Sequence, residues 1–542
     1  MKRIFSIVAV ILVILLLLGW LGGTWVIGNA IEAEIEQADT EQVVFAVTDY
    51  RKGFFSSDAR MSVGEVEDGG IPFRQTVSHG PLVFAGGAPK VCATHVVTKL
   101  DLEEQSDEVR ELIAGMFGEG VDPVVANTTV SFSGDQTTTV TIAAADIKSD
   151  NAEMRFDGAE IVWRAAEDLS SFRLVGDCPP ISLQGVSSDE EGKIYDYTFR
   201  TDGFEIDAAY DAGNVLTSAS RLGKIRAFLT SEDEPPMKFQ IEGIAFDSDL
   251  KAKSETYDNV WLGESSVRVS GINFSSDWGD GLGVAGFDVG ELRAGSDIVD
   301  NNDGTISVEG GYDLSGFGAD VADDDPMASL FQYLESGAKL SVAMDKVPYD
   351  MVQAYGKAQA DQYRYLLAMV GMSSDDPEKA LQLQKEMSVK SLEMFIDSLE
   401  HIKGGMGLSY QIVMAPGEEE TSVGLELEYN HSGPLTSLKT AGELLKALDV
   451  SINGKVPAVA VEIFPALAEM LDPQVEAGAV IKDEAGNYRV EASLKEAQLL
   501  VNGEPSPMQM MVEMFSGQEL DWYAIKEGLT NPDSETGEEE EQ

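Results

Sequence analysis

Histidine, cysteine and positive charge are scarce in this chain, and each shortage removes a class of function. There are 4 histidines, His79, His95, His401 and His431. They lie far apart, never as His-x-x-x-His or His-Glu-x-x-His, so zinc-hydrolase spacing is absent. Two cysteines, Cys92 and Cys178, are too few and too distant for a Cys-x-x-Cys redox pair or a structural zinc site. A phosphate-cradling Gly-x-x-x-x-Gly-Lys-Ser/Thr loop is missing, as is a suitable Gly-x-Ser-x-Gly nucleophile elbow. Asn301-Asn302-Asp303-Gly304 begins like a calcium loop. With Gly304 at position six, however, the first and last ligand positions fall on Val299 and Gly310, neither of which carries a carboxylate. No metal, cofactor or catalytic residue is assigned. Basic residues number 38 against 94 acidic ones, a net charge of −56. Nucleic acid needs Lys and Arg to neutralise its phosphates, so that partner class is set aside. The acid is spread along the whole chain and reads as a solvated coat.

Long apolar runs are also few. One stands out, Ile4 to Ile27, preceded by Lys2 and Arg3. About 24 residues at 1.5 Å each reach ~36 Å, enough to cross a ~30 Å hydrocarbon core with some tilt. The cations before the run place the N-terminus in the cytoplasm and the remainder outside. Gly28-Asn29-Ala30 has the small residues of a signal-cleavage site. The run nevertheless exceeds a signal core, and Trp20 and Trp25 suit the outer interface. Residues 1–30 are therefore expected to be an uncleaved anchor, with the inner (cytoplasmic) membrane as partner through residues 4–27. An exported body meets an oxidising compartment, so a disulfide between Cys92 and Cys178 is expected. Closing a loop of about 85 residues would contribute roughly 4–5 kcal/mol.

Beyond the anchor the hydrophobic period changes from 3.6 to 2. Val43–Tyr50 and Phe54–Val63 read as strands around an Arg51-Lys52-Gly53 turn. An amphipathic helix is expected at Ser106–Phe117, with Val109, Leu112, Ile113 and Met116 on one face. From about Val124 to Gly318 apolar and polar residues alternate, as in Tyr195, Tyr197 and Phe199 or Phe239 and Ile241. Ser133-Gly134-Asp135, Asp202-Gly203 and Asn302-Asp303-Gly304 read as hairpin turns between such runs. The composition shifts at Asp323-Asp324-Asp325, after which helical stretches appear. Strand, proline turn and helix then recur three times, at Leu340–Tyr349, Leu448–Pro457 and Gln498–Phe515. The fold class expected is α+β and β-rich. An N-terminal transmembrane helix leads into a long antiparallel meander or curved sheet over residues 31–322, an α+β part over 323–530, and a disordered acidic tail over 531–542.

Several stations in this order resemble the YdgA-like proteins of Gram-negative bacteria, inner-membrane-anchored envelope proteins of largely undefined function. Gly23-Thr24-Trp25 is followed by Tyr50, Gly53, Phe55, Ser56 and Ser57, then by a His79-Gly80-Pro81 turn. Further similarity lies at Leu340–Tyr355 and Leu499–Phe515. The resemblance implies a periplasmic body and carries over no catalytic residue.

Ser56 or Ser57 with His79 and Asp58 would make a nucleophile, base and orienting carboxylate if folding joined them. The plainer reading is a strand start whose hydroxyls serve the backbone. Met351, Met369, Met372, Met387 and Met394, and Met508, Met510, Met511 and Met514, are expected to pack against the sheet. The function expected is a non-enzymatic envelope role, binding or scaffolding, with an envelope protein or lipid as partner. The alternative is a lipid or hydrophobic ligand held in a β groove, by analogy with AsmA-like proteins. A Ser/His hydrolase ranks third.

Overall fold

Alternating sequences such as Tyr195–Phe199 do form strands, but the strands are long and bent. The computed structural model describes residues 44–52, 56–64, 71–79, 83–85, 88–149, 151–168, 170–188, 193–211, 213–231, 236–254, 257–276, 284–321, 333–354, 398–415 and 420–520, with a few single positions besides. The anchor expected at residues 1–30 and the tail at 531–542 lie outside them. So do Gly53, Phe55, Gly80, Pro81, Met369, Met372, Met387 and Met394. Among the described residues no helix is long and apolar enough to cross a membrane. The chain forms two compact units, Met1–Asp249 with Val269–Gly281, and Leu250–Arg268 with Leu282–Gln542.

In the first unit β1 (Val44–Lys52), β2 (Ser56–Gly64) and β3 (Ile71–His79) pair antiparallel in sequence. A separate small hairpin, β4 (Val83–Ala85) with β5 (Ala88–Lys90), follows. β6 (Thr94–Leu100) pairs with β3. Helix α1 (Asp107–Phe117) then opens on Ser106, whose hydroxyl accepts from Val109 N at 3.3 Å. Its expected apolar face is only partly used: Met116 is buried, whereas Val109 and Leu112 stay exposed. β7 (Val124–Val130) pairs with β6.

The next strands come in consecutive bent pairs. β8 (Gln136–Ile142) turns into β9 (Ala145–Ser149) at Ala143-Ala144, and β10 (Ala152–Phe156) into β11 (Ala159–Ala165) at Asp157-Gly158. β12 (Phe172–Cys178) turns into β13 (Ile181–Ser188) at Pro179-Pro180, and β14 (Ile194–Thr201) into β15 (Phe204–Tyr210) at Asp202-Gly203. β16 (Val215–Leu222) turns into β17 (Ile225–Ser231) at Gly223-Lys224, and β18 (Met237–Ile241) into β19 (Gly243–Ser254) at Glu242. Register runs straight through these corners: Ile142 faces Ala159 and Ala145 faces Phe156. Asp202-Gly203 is thus a corner and not the hairpin turn the sequence suggests, because β14 pairs with β13 and β17 while β15 pairs with β12 and β16. The corners align as a crease dividing the meander into two arms. Glycine is required there. Gly158 (φ +89°) and Gly203 (φ +109°) are left-handed, and a Cβ would lie 2.8 Å from Ile142 O and 2.7 Å from Cys178 O. β20 (Tyr257–Ser276) pairs with β18, and both β19 and β20 supply residues to both units.

The second unit continues the antiparallel pattern. β21 (Val284–Asp300) and β22 (Thr305–Val321) form a hairpin around Asn302, β22 pairs with β23 (Ala338–Pro348), and a helix opens at Tyr349. The composition change at Asp323 therefore falls between two paired strands. β24 (Met406–Met414), β25 (Thr421–Tyr429) and β26 (Leu448–Val456) extend the ladder. Between the last two lies α2 (Ala441–Ala447), closed by a full capping box of Thr440 and Glu443. After β26 come α3 (Ala458–Ile463) and α4 (Pro465–Glu476). Four short strands follow, β27 (Ile481–Lys482), β28 (Tyr488–Lys495), β29 (Gln498–Val501) and β30 (Glu504–Pro505), and then α5 (Gln509–Phe515). One core of this unit joins Val260, Ile306, Val347 and Tyr349 with Met351.

Candidate functional site

Inside the crease of the first unit the two arms present apolar side chains to each other. At the end nearest α1 they close into a core. Ile142 and Ala159 of one arm pack with Ala145, Met154 and Phe156 of the other, joined by Phe117 of α1. A second buried patch, Trp163, Ala165 and Leu174, lies further out on the first arm. Beyond β13 the crease stays open. One row crosses seven strands in register: Ile147, Met154, Leu183, Phe199, Ala227, Phe239 and Phe274. At ~4.8 Å per strand this row is about 29 Å long. Its last members are only half-buried, and Phe239 keeps 37% of its surface in water. Phe204, on the facing arm, is 38% exposed. The result is a trough, shut at one end by packing and open at the other.

Two hydroxyls add polarity. Tyr197, paired with Gly185 on one side and Leu229 on the other, and Ser276, paired with Met237, make no hydrogen bond among the described residues. Burial pushes the Tyr197 phenol above its ordinary pKa, so it stays a neutral donor. A shallow depression of about 610 Å³ lies on the outer side of the same crease, lined by Thr141, Asp157, Glu160, Val162, Val175 and Asp177. Its carboxylates and wide opening give it no comparable apolar character.

Ser56, Ser57, Asp58 and His79 lie on β2 and β3. Ser56 stands opposite Ser78, Ser57 opposite Val77, and His79 opposite Thr94. Asp58 lies on the opposite face of β2 from Ser57 and accepts from Thr76 Oγ1 at 2.9 Å. Ser57 is 1% exposed and out of reach of a substrate. Tyr50, on β1, pairs with Ala59 of β2. The buried histidine is instead His95, whose Nδ1 lies 3.1 Å from Thr129 Oγ1. Burial first, then Lys90, lowers its pKa and keeps it neutral.

The expected Cys92–Cys178 bridge is not made; both cysteines are free thiols. Cys92 precedes β6 and Cys178 ends β12, and β7, β8 and β11 lie between those strands. Four strand steps amount to about 19 Å, against the roughly 7 Å between Cα atoms that a disulfide tolerates. Burial and the neighbouring Asp177 push the Cys178 thiol up. Among the described residues no group of three or more His, Cys, Asp or Glu is placed to hold a metal ion.

Comparison with known proteins gives two findings. The model of a family described as "Bacterial protein of unknown function (DUF945)" matches residues 1–322, which include all of the first unit with its creased meander. Protein YdgA of Escherichia coli (strain K12) is 22% identical over 241 residues, covering 40% of this chain and 48% of that protein. The chain thus matches about half the length of that curated relative.

Proposed function

Starting from the fact that the chain belongs to the bacterial DUF945 family, we propose that it is a non-enzymatic binding protein of the cell envelope whose creased meander holds the acyl chain of a lipid. The observation that carries this reading is the row Leu183, Phe199, Ala227, Phe239 and Phe274, apolar across five strands and left half-open. A chain with 94 acidic residues available for its surface has little reason to leave such a row wet unless something covers it. The length fits. The full seven-strand row of about 29 Å exceeds the ~15 Å that acyl chains span in one leaflet. The Tyr197 and Ser276 hydroxyls would meet ester or headgroup oxygens.

The remainder of the reading rests on residues 4–27 as a single-pass anchor in the inner membrane, with the bulk of the chain periplasmic. That places the trough beside its source of lipid. The test is native mass spectrometry with lipid extraction on protein gently purified from its own membranes. Phospholipid bound one-to-one after removal of residues 1–30, and lost in Phe239→Asp, is the expected result. A clean apo mass for the truncated protein would sink the lipid reading and leave a scaffold for protein partners.

A further inference from the structure

Helix α5 is built inside out. Its inward side is polar: Gln509 accepts from Leu499 N at 2.8 Å through Oε1 and donates to Ala497 O at 3.2 Å through Nε2. Two turns on, Ser516 O accepts from Gly442 N at 2.9 Å. Gly442 is needed for that approach, since a Cβ there would lie 2.7 Å from Ser516 O. Ala441 N donates to Gln518 O just beyond. The helix is therefore locked in rotation by hydrogen bonds to β29 and α2. Its outward side carries the sulfur. Met510 is 73% exposed, Met514 71% and Met511 52%, with Met508 and Phe515 exposed beside them. These methionines do not pack against the sheet as the sequence suggests, because Gln509 and Val512 occupy the inward positions.

We infer that Met510, Met511 and Met514 form a thioether site for a soft monovalent cation, Cu(I) or its redox-inert analogue Ag(I). Met510 and Met514 are four residues apart and Met511 and Met514 three, spacings that bring side chains to one side of a helix with Cβ atoms about 5–6 Å apart. Methionine has three rotatable torsions, so three sulfurs converge on one ion without moving the backbone. Met508, three before Met511, stands ready as a fourth donor. Thioethers select Cu(I) over the harder divalent metals. In an oxidising compartment they also outlast thiols, which pair into disulfides. The net charge of −56 attracts any cation and supplies no competing ammonium donor on this helix, whose one charged residue is Glu513.

The experiment uses the full chain in detergent and chloride-free buffer, with Ag(I) nitrate as probe and hydrogen peroxide oxidation of each methionine read by peptide mass. One equivalent of Ag(I) is expected to slow oxidation of Met510, Met511 and Met514 together by about tenfold. The single change Met514→Leu keeps size and apolarity and should return Met510 and Met511 to their metal-free rates. Protection should persist from pH 7 to pH 5, since thioethers carry no proton to displace, unlike His, Cys or carboxylate ligands. Equal oxidation with and without Ag(I), or protection that survives Met514→Leu, overturns the site. Residue-by-residue readout keeps binding at Cys92 or Cys178 from being mistaken for it.

Discussion

In the second unit the Tyr349 hydroxyl donates to one carboxylate oxygen of Asp300 while the Lys253 ammonium holds the other. The Tyr349 ring packs at a tilt of 59° against Tyr257, centroids 5.0 Å apart, and its centroid lies 5.4 Å from Lys253 Nζ. The result ties β19, the end of β21 and the helix opening at Tyr349 into one clip beside the Val260 and Ile306 core. Tyr349→Phe keeps the ring and removes only the donor. The expected cost is on the order of 1–2 kcal/mol, read as a lower urea midpoint for this unit.

The same clip predicts a pH dependence. Lys253 first, then Tyr349 and the Asn302 N–H, hold the Asp300 carboxyl down at about 2. A carboxyl depressed on folding stabilises fully above its unfolded value near 4 and loses that contribution as pH falls towards 2. Stability measured from pH 5 to pH 2 should decline in the wild type and decline less in Asp300→Asn. Parallel curves for the two proteins would remove Asp300 from the account.

The crease glycines should be hard to replace. Gly158→Ala and Gly203→Ala each set a Cβ against a backbone oxygen at positive φ, which costs about 1–3 kcal/mol. Gly478 (φ +73°) has nothing within 4 Å of its Cβ position, so Gly478→Ala is the control for φ alone. Denaturant midpoints that fall equally for all three would show that close approach at the crease adds nothing.

The two ends of the trough should respond differently. Phe156 is 2% exposed in the closed end, and Phe156→Ala should cost roughly 3–5 kcal/mol. Phe239 lies in the open part, so Phe239→Ser should shift the midpoint far less and release bound lipid. Measuring stability and lipid stoichiometry on both variants separates a packing role from a binding role.

The cysteines make the fifth comparison. A non-reducing peptide map of the purified protein should show Cys92 and Cys178 as two separate thiols. In the native state both should react slowly with alkylating agents, Cys92 because it is buried and Cys178 because its thiol is pushed up by burial and Asp177. A Cys92–Cys178 cross-linked peptide would contradict the strand order between β6 and β12.

Strand content was legible because period-2 alternation is a local property. Tyr195, Tyr197 and Phe199 announce their shared face without help from the rest of the chain. The crease was not legible, because Asp202-Gly203 has the composition of a hairpin turn. What makes it a corner is pairing with β12 and β17 of the neighbouring bent strands, outside the local window. A usable signal existed: Ile142 and Ala145, and Phe156 and Ala159, shift the alternation by one at each corner. Ser57 and Asp58 are adjacent on β2, and the same alternation sends their side chains to opposite faces. On α5 amphipathicity pointed the wrong way, because the side chain of Gln509 satisfies two backbone groups that periodicity cannot see.

Along the creased meander each bent strand pairs with the one made just before it. Assembly can therefore follow the order in which the chain is synthesised, with no segment waiting for a distant partner. The same sequential pairing makes the trough extensible. Inserting one further pair of bent strands lengthens it by about 10 Å and leaves every existing register intact, as in repeat proteins, where each unit touches only its neighbours. Capacity for a longer cargo is then a matter of strand count, which a lineage can change by duplication without redesigning the cross-section.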